Sequence, residues 1–129
     1  MLKRQTILMA VLAAAVSALA LGPQAFAKNG DILVRGSCTG PSAAKLKLSE
    51  ENGRIEVEFE VDQNRNGVAW TVVLERNGSR VAKLTRTTRA PSGSFEARRV
   101  VANGAGADVI RAKATRRGES CTAKATFPA

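Results

Sequence analysis

Residues 45–60 read KLKLSEENGRIEVEFE, and this stretch decides the fold. Apolar and charged residues alternate on both sides of Asn52-Gly53, a dipeptide suited to a two-residue hairpin turn because both positions need positive φ. With this turn the facing pairs are Leu48 with Val57, Leu46 with Phe59, Lys47 with Glu58, and Lys45 with Glu60. Apolar pairs fall on one face and opposite charges on the other, so a one-residue slip would break both sets. The stretch therefore predicts a hairpin with one buried face.

The same period of two continues through residues 28–129, where Gly, Asn or Pro interrupts it about every 8 to 14 residues. The pattern is typical of an all-β protein, and we predict an immunoglobulin-like antiparallel β-sandwich of about seven or eight strands. Two of these strands are expected at Ile32–Cys38 and Phe95–Ala102. Because Trp70 lies on a middle strand and the cysteines lie near the two ends, we predict the sandwich and not membership of the antibody superfamily.

Two further turns set predicted registers. At Asn77-Gly78 we prefer a three-residue loop beginning at Arg76 to a two-residue loop, because it pairs Trp70 with Leu84 and Val72 with Ala82. At Gly118-Glu119 we predict a type II′ turn, which has glycine first and pairs Ala114 with Ala123, Ala112 with Ala125, and Ile110 with Phe127.

The N-terminal segment is typical of a secretory signal peptide. Two early cations precede an unbroken small and apolar run over residues 7–21, and Ala25-Phe26-Ala27 supplies the small-x-small cleavage pattern. A retained membrane anchor is the alternative, but the run is shorter than the roughly 20 apolar residues that a spanning helix needs. We therefore predict a helical signal peptide over residues 1–27 and one secreted domain over residues 28–129. This domain has no transmembrane anchor after cleavage, and its attachment to the cell surface stays open.

Cys38 and Cys121 are the only cysteines in the chain. Disulfides persist in exported proteins, so we predict that these two cysteines pair and join the first and last strands across the two sheets. In the chain-entropy view a loop of this length contributes at most about 4–5 kcal/mol. A reactive thiol pair is the alternative, and it lacks the usual CxxC spacing.

Several classes of active site are excluded by composition. The chain has no histidine and no tyrosine, and the sequence contains no GxSxG, phosphate-loop or HExxH motif. Glu56, Glu58 and Glu60 share one strand face opposite Lys45 and Lys47, which favours salt bridges over the raised pKa of a general acid. We therefore predict a protein that is not an enzyme and that uses no cofactor or metal.

Residues 62–67 read DQNRNG and match the first half of a calcium loop. The second half fails, because Val73 stands where a bidentate glutamate is needed and the flanking segments are predicted strands. The pattern favours a polar turn, and calcium binding stays as the alternative.

Charge is distributed unevenly along the predicted domain. Residues 28–75 carry 6 basic and 8 acidic groups, whereas residues 76–129 carry 12 basic and 3 acidic groups. The third hairpin gathers the cations that we predict to form a face for an anionic ligand: Arg111, Lys113, Arg116, Arg117 and Lys124.

These features lead to two hypotheses of function. The first is a binding or cell-envelope-associated module whose basic face holds an anionic cell-wall polymer. The second is an inhibitor of an extracellular hydrolase, with another secreted protein as its partner and Arg65, Arg89 or Arg116-Arg117 as the anchor. Nucleic acid is not expected, because the protein is exported and no aromatic residues interleave with the arginines. The alternative to both hypotheses is a soluble protein whose basic surface has no ligand.

The chain resembles small exported β-domain proteins of actinobacteria that have no assigned function. The residues that carry the resemblance are Gly36-Ser37-Cys38-Thr39-Gly40, Val61-Asp62 with Gly67 and Trp70, Asn77-Gly78, Gly93-Ser94-Phe95, and Gly118-Glu119-Ser120-Cys121. The similarity spans most of residues 34–125. It implies export and a disulfide, and it implies no activity and no site residue.

Overall fold

A computed structural model describes residues 30–129, and the predicted signal peptide over residues 1–27 lies outside this range. Nine strands follow one another in chain order: β1 (Ile32–Arg35), β2 (Ser37–Cys38), β3 (Ala43–Glu51), β4 (Arg54–Asp62), β5 (Ala69–Arg76), β6 (Ser79–Thr87), β7 (Ser94–Val101), β8 (Asp108–Arg116) and β9 (Glu119–Phe127). Within the described range no helix is long and apolar enough to cross a membrane.

The strands form two antiparallel sheets that pack as a sandwich. The four-stranded sheet has the order β1-β3-β4-β7, and the five-stranded sheet has the order β2-β9-β8-β5-β6. The predicted all-β sandwich is confirmed, but it has nine strands and not seven or eight. The additional strand arises because the predicted strand Ile32–Cys38 divides at Gly36 into β1, which pairs with β3, and β2, which pairs with β9.

Gly36 makes this division possible. A Cβ atom at this position would lie 2.6 Å from the carbonyl oxygen of Thr122, a distance that real Cβ atoms do not tolerate. The missing side chain lets the chain pass close to β9 while it leaves one sheet and enters the other.

The core lies between the sheets and follows from the alternation in the sequence. Its fully buried members are Leu46, Leu48, Ile55, Val57, Phe59, Val61, Trp70, Val72, Leu74, Ala97, Ile110, Ala112, Ala114 and Cys121. The Trp70 and Phe95 rings lie 5.9 Å apart between centroids. The alanines of β8 and β9 belong to one sheet, and the larger apolar side chains of β3 and β4 belong to the opposite sheet. Small and large side chains therefore meet across the core, and the two sheets fit closely without many aromatic residues.

The first hairpin has the predicted register. Leu48 pairs with Val57 and Leu46 with Phe59. On the outer face, the Lys47 amine lies 2.7 Å from the Glu58 carboxylate. Asn52 and Gly53 have positive φ values of 49° and 78°, as the two-residue turn requires.

The predicted three-residue loop of the second hairpin is wrong. Asn77 and Gly78 both have positive φ and form a two-residue turn, so Arg76 pairs with Ser79. A β-bulge then leaves Val81 without a partner and 43% exposed, and the pairs beyond it become Val72 with Leu84 and Trp70 with Arg86. The bulge explains the error. A two-residue turn alone would put the apolar residues of β6 on the outer face, and the one extra residue at the bulge returns them to the inner face.

The predicted register of the third hairpin is also wrong, by two residues. The turn is Arg117-Gly118, with Gly118 at φ 85°, and Arg116 pairs with Glu119. The resulting pairs are Ala114 with Cys121, Ala112 with Ala123, and Ile110 with Ala125. A shift of two keeps every side chain on its predicted face. The turn falls earlier because the Glu119 carboxylate is buried beside Arg116 and Ser42, which makes Glu119 a residue of the strand.

The disulfide between Cys38 and Cys121 is confirmed. The two cysteines are register partners on β2 and β9, so they join neighbouring strands of one sheet, and the prediction that they would connect the two sheets is wrong. The bond therefore holds the short strand β2 in place immediately after the crossing at Gly36.

Replacing both cysteines with alanine is expected to destabilise the protein by about 2–4 kcal/mol, because the disulfide closes a loop of 83 residues in the unfolded chain. Chemical denaturation of the parent and the Cys38→Ala, Cys121→Ala variant measures the difference. A variant that unfolds within experimental error of the parent would contradict a stabilising role for the bond.

Candidate anion-binding face

The outer face of the four-stranded sheet is electrostatically balanced. Lys47 pairs with Glu58, and Arg98 binds Glu56. The hydrogen bond from Arg98 lowers the pKa of Glu56 to about 2, well below its ordinary value of 4.5. Positive and negative side chains on this face therefore neutralise one another locally, and little charge is left for a ligand.

The outer face of the five-stranded sheet is different, and we call it the basic face. Strands β6, β8 and β9 present five cations there: Arg80, Lys83, Arg111, Lys113 and Lys124. The strand registers place these cations together, because Val73 pairs with both Lys83 and Lys113, and Arg111 pairs with Lys124. They form two adjacent rows that run across the sheet.

One carboxylate accompanies these cations on the described strands. Glu75 is the register partner of both Arg80 and Arg111. Among residues 30–129, no carboxylate comes within 4.0 Å of a charged nitrogen of the five cations. The direct pairing of Arg111 with Lys124 puts like charges opposite each other, an arrangement that destabilises a sheet. The basic face therefore carries a positive charge that the fold itself does not neutralise.

Beside the two rows of cations the basic face carries a row of hydroxyl groups, and residues 30–129 place no aromatic side chain on it. The register aligns Thr71, Thr85 and Thr115 in a row across three strands, and Ser120 follows on β9. The four aromatic residues of the described domain are all buried: Phe59, Trp70, Phe95 and Phe127. The face therefore offers charge and hydrogen-bond donors to a ligand, without an aromatic surface for sugar rings or bases.

The structure divides the five residues that the sequence predicts for anion binding. Arg111, Lys113 and Lys124 lie exposed on the basic face, on neighbouring strands. Arg117 is exposed at the tip of the β8–β9 turn. Arg116 is directed into the sandwich, where its guanidinium carbon lies 5.4 Å from the centroid of the Trp70 ring.

Arg116 is part of a buried polar cluster at one end of the sandwich. Its Nη2 atom lies 3.1 Å from Oε1 of Glu119, whose side chain is 1% exposed. The Ser42 amide donates to Oε2 at 3.0 Å, and the Ser42 hydroxyl donates to Oε1 at 2.8 Å. Burial on its own would raise the pKa of Glu119, but the bonds from Ser42 and Arg116 outweigh it and hold this pKa below its ordinary value. Arg116 is therefore a structural partner of Glu119.

Sequence reasoning missed Arg80 and Lys83 as members of the face, and it gave Arg35 no role. Arg80 could be placed on the face only with the correct bulge in β6, whereas the predicted register already puts Lys83 on the outer side of the sheet. Arg35 belongs to the other sheet, and its position beside β9 depends on the crossing at Gly36, for which the alternation of residues gives no signal.

Two other groupings of polar residues have structural explanations. The sulfur atoms of Cys38 and Cys121 lie within 4.8 Å of a Glu119 carboxylate oxygen, but they are bonded to each other and so cannot act as thiolate ligands. In the DQNRNG loop, the Asp62 carboxylate accepts the Asn64 amide at 3.0 Å, and Gln63 accepts the indole N–H of Trp70 at 3.0 Å. These bonds are typical of the predicted polar turn.

Comparison with known proteins found no match to this chain among protein-family models, curated proteins or solved structures. The resemblance to exported actinobacterial proteins stays a prediction. Inferences about function therefore depend on the basic face itself.

Replacing Glu119 with glutamine is expected to destabilise the protein at neutral pH by about 2–4 kcal/mol, because Arg116 and Ser42 lose a buried ionised partner. The folded-state pKa of Glu119 lies below 4.5, so its contribution to stability is present above pH 4.5 and is lost as the pH falls below that value. Thermal unfolding of parent and variant, measured at neutral pH and at pH values below 4.5, should show that the difference in their stability becomes smaller in acid.

Glu96→Gln provides the control, because Glu96 is exposed and has no ion pair in the described part of the chain. If the difference in stability between the parent and Glu119→Gln keeps its full size down to about pH 3, the claim that the cluster contains an ionised Glu119 is contradicted.

Proposed function

We propose that this protein is a secreted, non-enzymatic binding module that attaches to an anionic polymer of the cell envelope through the basic face. One observation carries the proposal: five cations that have no ion-pair partner among residues 30–129 share one face of the sandwich, while the opposite face is neutralised by salt bridges. In a basic protein that is merely soluble, we do not expect unpaired cations on one face and salt-bridged charges on the opposite face.

The geometry of the basic face suits an extended ligand. Strands lie about 4.8 Å apart and alternate residues of one strand about 6.7 Å apart, so cations recur at these spacings along both directions of the sheet. Attraction between a polymer and such a face extends over about 10 Å at 0.1 M salt and is screened to about 3 Å at 1 M. Binding is therefore expected to be strong at low ionic strength and reversible by salt.

Most of the carboxylates with shifted pKa values support a role without catalysis. The exception is Glu51, whose contact with Glu56 raises its pKa, but its side chain is exposed beside Arg98 on the outer face of the four-stranded sheet and does not lie in a cleft. The buried Asp108 accepts the Gly104 amide at 2.9 Å, and this bond, with help from Asn77 and Arg76, lowers its pKa. Glu56 and Glu119 likewise have lowered pKa values. Such groups are ionised and engaged at neutral pH, whereas a general acid needs a raised pKa in a cleft.

Inhibition of an extracellular hydrolase is the second candidate, and the β8–β9 turn is the feature that favours it. Arg117 is exposed at this tip, and its carbonyl oxygen accepts the Arg116 Nη1 group at 3.0 Å, which fixes the turn. An arginine on a rigid tip is a suitable anchor for a trypsin-like protease. Inhibition by the parent that is lost in Arg117→Ala would support this candidate, and lack of inhibition across a panel of secreted hydrolases would exclude it.

The central test of the proposal compares two substitutions that remove the same charge. Lys113→Gln, on the basic face, is expected to weaken binding to a soluble polyanion by about three- to tenfold at low salt. Arg54→Gln, at the exposed β3–β4 turn on the other sheet, should change the affinity by less than about twofold. Isothermal titration with long-chain polyphosphate at low and high ionic strength provides the affinities.

Equal losses from Lys113→Gln and Arg54→Gln would mean that the overall charge, and not the basic face, attracts the polymer. Binding that does not weaken as salt is raised would contradict the electrostatic mechanism.

Glu75→Gln is expected to act in the opposite direction. This substitution removes the carboxylate that faces Arg80 and Arg111, so the affinity for the polyanion should rise by about two- to fivefold at low salt. The same titration measures the gain. An unchanged or lower affinity would indicate that the ligand does not reach the two rows of cations.

A further inference from the structure

A groove of about 350 Å³ lies along one edge of the basic face, where the two sheets meet. Its lining comes from β1, β2, β8 and β9 and consists of Arg35, Ser37, Arg111, Thr122, Ala123 and Lys124. This lining contains three cations, two hydroxyl groups and no carboxylate. Ala123, which is nearly buried, is its apolar member.

The approach of Arg35 to this groove is a consequence of the crossing at Gly36. Arg35 is the last residue of β1 and belongs to the four-stranded sheet, whereas Arg111 and Lys124 belong to the five-stranded sheet. Because Gly36 has no side chain, the backbone passes against the Thr122 carbonyl, and Arg35 comes to lie beside β9. The same short passage continues to Ser37, which pairs with Thr122.

Each of the three cations in the groove faces a like charge. Arg111 pairs with Lys124, and Arg35 pairs with Lys45, whose own carboxylate partner is Glu60 at 3.6 Å. Like charges placed opposite each other destabilise a sheet. Glu75 is the other register partner of Arg111, but among residues 30–129 no carboxylate comes within 4.0 Å of a charged nitrogen of Arg35, Arg111 or Lys124, so a bound anion would relieve this repulsion.

The chemistry of the groove favours a phosphate group over a carboxylate. A phosphate group arranges four oxygens tetrahedrally, two of them non-bridging when it lies within a chain, so it can accept hydrogen bonds from several directions at once. A carboxylate has two oxygens in one plane, which one arginine fork can satisfy. The donors here come from strands of both sheets and approach from different directions, which suits the tetrahedral group.

We propose that the groove lined by Arg35, Ser37, Arg111, Thr122 and Lys124 is a phosphate-binding subsite, which selects phosphate-bearing chains among the polyanions that the basic face attracts. This inference deepens the proposed function and rests on it. The phosphate can belong to a soluble polymer or to a phospholipid headgroup, and the groove recognises the chemistry that the two share.

The test measures selectivity, because the basic face alone would bind any polyanion. The probes are long-chain polyphosphate, polygalacturonate as a carboxylate polymer, and phosphatidylcholine vesicles containing phosphatidylglycerol, all at the same low ionic strength. The parent is expected to bind polyphosphate at least about threefold more tightly than polygalacturonate. Arg35→Gln should bring this ratio close to one.

Two further variants separate the groove from the rest of the basic face. Lys83→Gln, which lies on the face but outside the groove, should weaken the binding of both polymers by the same factor and leave their ratio unchanged. Ser37→Ala is a mild change at an exposed residue, so it keeps the test valid if Arg35→Gln does not fold. It should lower the ratio without altering the circular dichroism spectrum.

The outcomes distinguish the subsite from the proposed function. Equal affinity of the parent for both polymers, or an equal loss of both in Arg35→Gln, would overturn the phosphate subsite and leave the basic face in place. No binding of either polymer at low salt would overturn the proposed function and the subsite together. Vesicle binding that depends on Arg35 and exceeds polyphosphate binding would support the subsite and identify a lipid headgroup as the source of the phosphate.

Discussion

The close passage of the backbone over β9 at Gly36 is the constraint on which much of this structure depends. Only a residue without a Cβ atom can lie so near the Thr122 carbonyl. Because the passage is possible, β1 can complete one sheet and β2 the other, and Cys38 reaches its partner Cys121. The disulfide then holds the crossing in place. Thus one glycine connects the two layers, positions the covalent bond and brings Arg35 to the edge of the basic face.

The two outer faces of the sandwich differ in how their charged residues are paired. On the four-stranded sheet, the outward positions hold pairs such as Lys47 with Glu58, which neutralise each other. On the five-stranded sheet, the outward positions hold Lys113 and its neighbours, which find no such partner in the described part of the chain, and the unfavourable pairing of Arg111 with Lys124 persists. Surface salt bridges contribute little to stability, so the balanced face does not explain the fold. The contrast between the faces is what points to an anionic ligand.

The sequence was sufficient to predict the all-β sandwich, the disulfide and the register of the first hairpin. That register could be predicted because strict alternation around Asn52-Gly53 allows only one pairing. The predicted register of the second hairpin was wrong because of the β6 bulge beside Val81. A bulge and a longer loop both return the apolar residues of the strand to the inner face, so the sequence does not distinguish them. It also failed at Gly118, where the buried pair of Glu119 and Arg116 shifts the turn, and a buried ion pair leaves no signal in the alternation. Of the predicted site, the cations of β8 and β9 share one face, whereas Arg116 is engaged in the interior.

The most direct measurement of the central claim is the binding of the purified protein to isolated cell walls that carry an anionic polymer, at low and high salt. The parent is compared with a variant in which Lys83, Arg111 and Lys113 are replaced by glutamine. The account predicts that the parent sediments with the walls at about 0.05 M salt, is released at about 1 M, and that the variant stays in solution at both. Retention of the parent at high salt, its absence from the walls at low salt, or equal binding of the variant would contradict the claim.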